Sequence, residues 1–114
     1  MPDNDPKIRL FHMRDYTRKI ITFAAGKEKA DLEEDEIFCL AMTRLIELIG
    51  EAASKYPKEK QNEYPQIPWP KIISTRNRLI HGYDFVDYDI LWDAITINMP
   101  QLLAELEKIL PPET

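Results

Sequence analysis

The sequence predicts an all-α fold, an antiparallel up-and-down four-helix bundle. Three observations point to it. Apolar residues recur at spacings of three and four in four separate segments, one stripe to each. The 114 residues hold only three glycines, and no segment alternates apolar and polar as a half-buried strand does. The segments are bounded by residues that start or stop helices. Four helices with one stripe each bury those stripes against one another.

The first helix starts at "DPKIRL", with Asp5 as N-cap and Pro6 in the first turn. Met13, Tyr16, Ile20 and Phe23 form its stripe, and Gly26 ends it. The second is expected from about Asp31, with Glu34 three residues on as a weak capping box. Its stripe is Ile37, Ala41, Leu45, Leu48, Ile49 and Ala52, and the acidic run "DLEEDE" is its solvated N-terminus. "KYPKEKQNEYPQIPWP" follows, polar and with four prolines, and reads as a loop. The third helix runs from about Trp69 to His81, with Gly82 to end it. The fourth begins after Asp87 and carries Trp92, Ile95, Met99, Leu102, Leu106 and Ile109, which read as core rather than as a dimer seam. Pro100 lies inside that pattern and is expected to kink the helix, and Pro111-Pro112 stops it.

The length suits one domain, residues 1–114, with one core. No apolar run approaches the roughly 18 residues of a membrane span, and the polar, acidic "MPDNDPKIRL" is unlike a secretory signal. Cys39, the only cysteine, reads as a small core residue, and a reducing cytoplasm is the simplest compartment for it. The net charge is −5, so nucleic-acid binding would have to rest on a local positive patch. Lys71, Arg76 and Arg78 form such an island.

That island contains "RNRLIHGY", residues Arg76 to Tyr83. Histidine titrates near neutrality and can move a proton. Arginine stays charged and grips phosphate with two prongs. The pair suits metal-independent cleavage of RNA, in which the 2′-OH attacks its own adjacent phosphate. Asn77 and His81 are four apart and share a helix face, and Arg78 and His81 are three apart. Arg76 and His81 are five apart, which sets them roughly 140° apart around a regular helix with about 7.5 Å of rise between them. A composite site across a dimer, or a loosened last turn at Gly82, would bring them together. Read as structure alone, the stretch is a helix end with Leu79 and Ile80 inward, solvated arginines, and His81 at the C-terminus, where a cation is favoured. A metal site is poorly supported: His12 and His81 are the only histidines, no cysteine pair exists, and no acidic cluster lies in the motif. His12 reads as an ordinary surface or boundary histidine. Ser54 and Ser74 lack a nucleophile-elbow context.

The chain resembles the HepT-like family of toxins within the HEPN superfamily over about residues 8–110. The resemblance rests on "RLIELIGEAASKY" (Arg44–Tyr56), on "YPQIPWPKIISTRNRLIHGYDFVDYDILWDAI" (Tyr64–Ile95) and on the closing "MPQLLAELEKIL". It implies a HEPN-type four-helix bundle and a homodimer with the cleft at its interface. It implies a metal-independent, cofactor-free ribonuclease built on an RxxxxHxY signature, here Arg76, His81 and Tyr83, with Asn77 and Arg78 supporting. It further implies RNA, with tRNA as a candidate, as substrate of endo- or exonucleolytic cleavage. The implied partner is a nucleotidyltransferase antitoxin of the type VII HepT/MntA toxin–antitoxin system, which adds AMP to Tyr83. Bulk and negative charge there would repel RNA phosphates. Gly82 departs from the family, which often has an acidic residue there, and "ST" before Arg76 is unusual. The family shows a proline at the place of Pro100. Two other readings stand beside it: a non-catalytic HEPN-like module that partners a nucleotidyltransferase or binds nucleotide, which the acidic pI suits, and a plain dimeric helical scaffold.

Overall fold

The structure, a computed structural model, describes residues 5–81 and 86–112, and the side chains of all of these but Ile80 and His81. All regular structure among them is helical: α1 (Lys7–Ala24), α2 (Lys29–Glu34), α3 (Glu36–Lys55), α4 (Lys58–Gln61), α5 (Trp69–His81), α6 (Tyr88–Asp93), a π-helical turn (Ala94–Asn98) and α7 (Met99–Ile109). No described helix is long and apolar enough to cross a membrane. The last three elements are continuous. The four long helical stretches are therefore those that the apolar stripes predict.

Their ends depend on single residues. Asp5 Oδ1 accepts the Lys7 N–H at 2.9 Å, which makes it the cap of α1 although Pro6 is already helical. Gly26 ends the turn after α1 with φ of 79°, a conformation costly for a side chain. Asp87 Oδ1 accepts the Ile90 N–H at 3.1 Å and starts α6.

The second helix differs from expectation. It does not run on from Asp31. The Glu28 N–H donates to Asp31 Oδ2 at 2.7 Å and opens the short α2. The chain then breaks at Asp35, whose Oδ1 accepts the Phe38 N–H at 3.1 Å and caps α3. The break also turns the face. Ile37 is 81% exposed, so it is not a core residue, while Phe38, Cys39, Met42 and Ile46 are buried. Phe23 of α1, also expected inside, is half exposed.

α1 lies along α3 and α7, and α3 carries α5. Leu10, Met13 and Ile20 of α1, Met42 and Ile49 of α3, and Leu102 and Leu106 of the last helix are almost wholly buried, so the fourth stripe is core. Arg14, only 5% exposed, donates Nη1–H to the Pro111 carbonyl at 3.0 Å and ties the end of the chain to α1. One turn along, Arg18 pairs with Glu107 at 2.9 Å.

The proline-rich connection is not a plain loop. It contains α4, and Tyr56, Ile67 and Trp69 are buried. The rings of Tyr56 and Trp69 stack at 5.1 Å with 6° between their planes. The Trp69 indole N–H donates to the Tyr64 carbonyl at 3.2 Å. That clamp fixes where α5 begins.

Pro100 is absorbed upstream. The π turn widens the helix just before it, and the Met99 N–H reaches back to the Ala94 carbonyl. An extra residue in that turn relieves the contact between a proline ring and the preceding turn's carbonyl, which a regular helix would enforce.

Candidate functional site

α5 presents the motif, and its position is set by one close approach. Gly50, in the middle of α3, is buried against it. A Cβ placed on Gly50 would fall 2.3 Å from Arg76 Cβ and 2.5 Å from Arg76 Cγ. Only a glycine lets the two helices meet there. Tyr56 against Trp69 at one level and Gly50 against Arg76 further on mean that α5 runs back along α3. The aliphatic stem of Arg76 therefore lies flat on α3 and cannot swing freely.

Its head is held as well. The Arg76 Nε–H donates to Asn77 Oδ1 at 2.8 Å. Asn77 stands one turn before position 81 on the same helix face. The bond therefore draws the guanidinium around the helix toward the face to which position 81 belongs, and reduces the angular separation that the five-residue spacing imposes. Arg78 is exposed and Leu79 packs against the core. His81 is the last residue of α5, but its side chain, like Gly82 and Tyr83, lies outside the described residues.

Concavities among the described residues lie on both sides of α5 and between α1 and α3. Between α3, α5 and α7 lies a mostly apolar cavity of about 440 Å³, which takes in Lys71, Ile72 and Thr75 of α5 and Glu105 of α7. On the other face of α5 a groove of about 720 Å³ runs from the end of α3 past α4 to Asn77. A small hollow of about 80 Å³ holds His12 with Arg9 and Glu51, and the His12 ring lies 6.3 Å from that of Tyr16. His12 is partly buried at a helix–helix boundary, the second of the two settings its sequence allows.

Among the described residues no group of histidine, cysteine and acidic side chains is placed to hold a metal ion. Cys39 is buried, and loss of water pushes its thiol above its ordinary value. Burial raises the Tyr56 hydroxyl in the same way. The exposed Lys29 is raised by its bond to Asp89.

A model of the family described as "Ribonuclease HepT-like" matches residues 13–109. The chain belongs to this HepT-like family. Several relatives match over most of both chains. A protein of Methanocaldococcus jannaschii named "Putative RNase MJ1216" is 34% identical over 110 residues, which cover 96% of this chain and 91% of that protein. "Putative RNase TTE0752" of Caldanaerobacter subterraneus is 32% identical over 108 residues, 95% of this chain and 96% of its own. The "Probable ribonuclease HepT" of Thermococcus cleftensis is 36% identical over 69 residues, 60% of this chain and 63% of its own. No solved structure matches the chain.

Within this HepT-like chain the sequence singles out Arg76 and Asn77, and the structure joins them by a hydrogen bond. Gly50 and the amide-lined groove are not evident from it. Gly50 had one signal only: a glycine inside a strong helical stripe, in a chain with three glycines.

Proposed function

We propose that this HepT-like chain is a metal-independent ribonuclease, with Arg76 and His81 as its catalytic residues. The 2′-oxygen attacks the adjacent phosphorus and the P–O5′ bond breaks, which leaves a 2′,3′-cyclic phosphate and a 5′-hydroxyl. The 2′-hydroxyl gives up its proton and the leaving 5′-oxygen gains one; His81 carries one of these transfers and water the other, while Arg76 stabilises charge on the phosphoryl oxygens. The observation that carries this reading is the restraint on Arg76, with its stem against Gly50 and its Nε bound to Asn77, one turn before position 81. A group that stabilises a transition state is most effective when its position is fixed beforehand.

Around this core the finer proposals come from the family. The four long helices form the antiparallel HEPN bundle. Two copies pair so that the motifs face one cleft in the cytoplasm. Tyr83 accepts AMP from a nucleotidyltransferase antitoxin, and RNA, with tRNA as candidate, is the substrate. Arg76→Ala and His81→Ala should each lower cleavage of unstructured RNA by about 10²–10³-fold or more while circular dichroism shows unchanged helix. Wild-type rates in both variants would remove the reading. A non-catalytic module that binds a nucleotidyltransferase is the second reading, favoured by the net charge of −5. It predicts no cyclic-phosphate product from purified protein.

A further inference from the structure

The groove beside α5 has a composition that its neighbours lack. Its lining includes the amide residues Gln61, Asn62 and Asn77, the cationic Lys58, and the apolar Pro70 and Ile73. Among the described residues its lining includes no carboxylate, whereas the cavity toward α7 includes Glu105 and the hollow at His12 includes Glu51. In a chain with twenty acidic residues against fifteen basic ones, an acid-free groove is where a polyanion meets least repulsion.

Its direction is also informative. Pro70, Ile73 and Asn77 are spaced by three and four, so they share one face of α5, and the next position in that series is 81. The groove therefore leads along the helix toward the proposed reaction centre. Two of its amides are held from behind. Gln61 Nε2–H donates to the Tyr56 carbonyl at 3.2 Å, and Asn77 Oδ1 accepts from Arg76 at 2.8 Å. Each keeps hydrogen-bonding capacity for a ligand: Gln61 its oxygen and a second N–H, Asn77 both N–H groups. Fixed amides beside apolar residues suit an unpaired nucleobase, whose edge bonds to the amides and whose face lies on Pro70 and Ile73. The groove's 720 Å³ is within the range of small-ligand sites.

We infer that this groove is a subsite for single-stranded RNA, seating a base next to the scissile bond, with Lys58 on the flanking phosphate. The inference rests on the ribonuclease reading for its place beside a scissile bond. Asn77 then acts twice, on the substrate with its N–H groups and on Arg76 with its oxygen.

The experiment reads binding and cutting separately. The binding probe is a fluorescein-labelled 2′-O-methyl RNA 12-mer of mixed sequence, which lacks the attacking hydroxyl. Lys58→Glu should weaken it at least tenfold and lower the salt slope by about 0.7, the loss of one phosphate contact to a single strand. Lys60→Glu is the control: it makes the same charge change on the same short helix but outside the groove lining. It should alter affinity less than threefold. Asn62→Ala should change the nucleotide preference next to the cut in a randomised RNA pool. A duplex of the probe should bind at least tenfold more weakly than the single strand.

Equal weakening by Lys58→Glu and Lys60→Glu means a diffuse field and overturns the subsite, as does no weakening by Lys58→Glu, an unchanged preference in Asn62→Ala, or equal binding of the duplex. If instead Lys58→Glu is selective while His81→Ala cuts unmodified RNA as fast as wild type, the catalytic reading falls and the groove stands as an RNA-binding surface alone.

Discussion

Gly50→Ala places the most demanding test on the site, because it adds one methyl group at the point that positions Arg76. The added carbon would lie 2.3 Å from Arg76 Cβ and 2.5 Å from its Cγ. Ordinary carbon contacts are about 3.5–4.0 Å, so α5 and α3 must separate by more than about 1 Å at that level. The Cβ of Arg76 is part of the helix frame and cannot rotate away. A shift of about 1 Å in a positioning group can lower a rate by about 10²-fold.

Stability should change far less. Alanine gains about 1 kcal/mol of helix propensity over glycine, while overpacking costs about 1–3 kcal/mol. The two largely offset, for a net loss of about 0–2 kcal/mol. The assay is steady-state cleavage of a fluorogenic RNA, with thermal unfolding in parallel. We expect kcat to fall about 100-fold, KM to stay within about threefold, and the protein to remain folded at the assay temperature. Arg76→Ala runs alongside. If it is inactive while Gly50→Ala cuts at the wild-type rate, Gly50 does not position the arginine. If Arg76→Ala itself is fully active, the catalytic assignment of Arg76 is wrong.

Two further outcomes test the fold around the site. Asp35→Ala removes the acceptor of the Phe38 N–H and should cost about 1 kcal/mol, seen as a lower Tm, whereas Glu34→Ala should stay within about 0.5 kcal/mol. An equal loss in both would mean that the helix is not broken at Asp35. Cys39 should react slowly with a thiol reagent at neutral pH and quickly in denaturant, because the thiolate is the reactive form and burial raises the thiol above its usual 9.0. The thiol's contribution to stability is complete below that unfolded value and is lost as pH rises through the higher folded one. Fast labelling of native protein at neutral pH would contradict its burial.

How much the sequence reveals depends on the kind of contact. Helix existence is legible because each stripe is local: the residues of "WPKIISTRNRLIH" mark α5 from Trp69 to His81. The exact face is less so. Ile37 fits the periodicity of a helix beginning at Asp31, but the break at Asp35 rotates the start of α3 and leaves Ile37 in water. That break depends on competition among five acidic residues for two caps, which pattern alone does not resolve. The Tyr56–Trp69 stack and the Gly50–Arg76 contact join residues 13 and 26 apart, so nothing local announces them. The motif is the converse case. Its residue types and spacing suggest chemistry, but only the Arg76–Asn77 bond indicates how an arginine five residues from a histidine can lean toward that histidine's face.

The acidic balance of the chain is compatible with an RNA substrate because of where the acids stand. Glu33, Glu34, Asp35 and Glu36 cluster at the junction of α2 and α3. From Asp35 to Gly50 is 15 residues of helix, about 22 Å at 1.5 Å each. The Debye length at physiological salt is about 8 Å, so that charge is screened almost completely at the level of Arg76, and more so at Lys58 beyond the far end of α3. Nearer by, Glu51 has Arg44 at 3.9 Å. Replacing Glu33, Glu34 and Glu36 together by glutamine should raise the pI yet leave affinity for the 2′-O-methyl probe within about twofold at 150 mM salt. At 10 mM salt, where the screening length grows to about 30 Å, the same variant should bind several-fold more tightly than wild type. A large gain already at 150 mM would mean that the acidic cluster faces the RNA, and that the strand does not run along the groove.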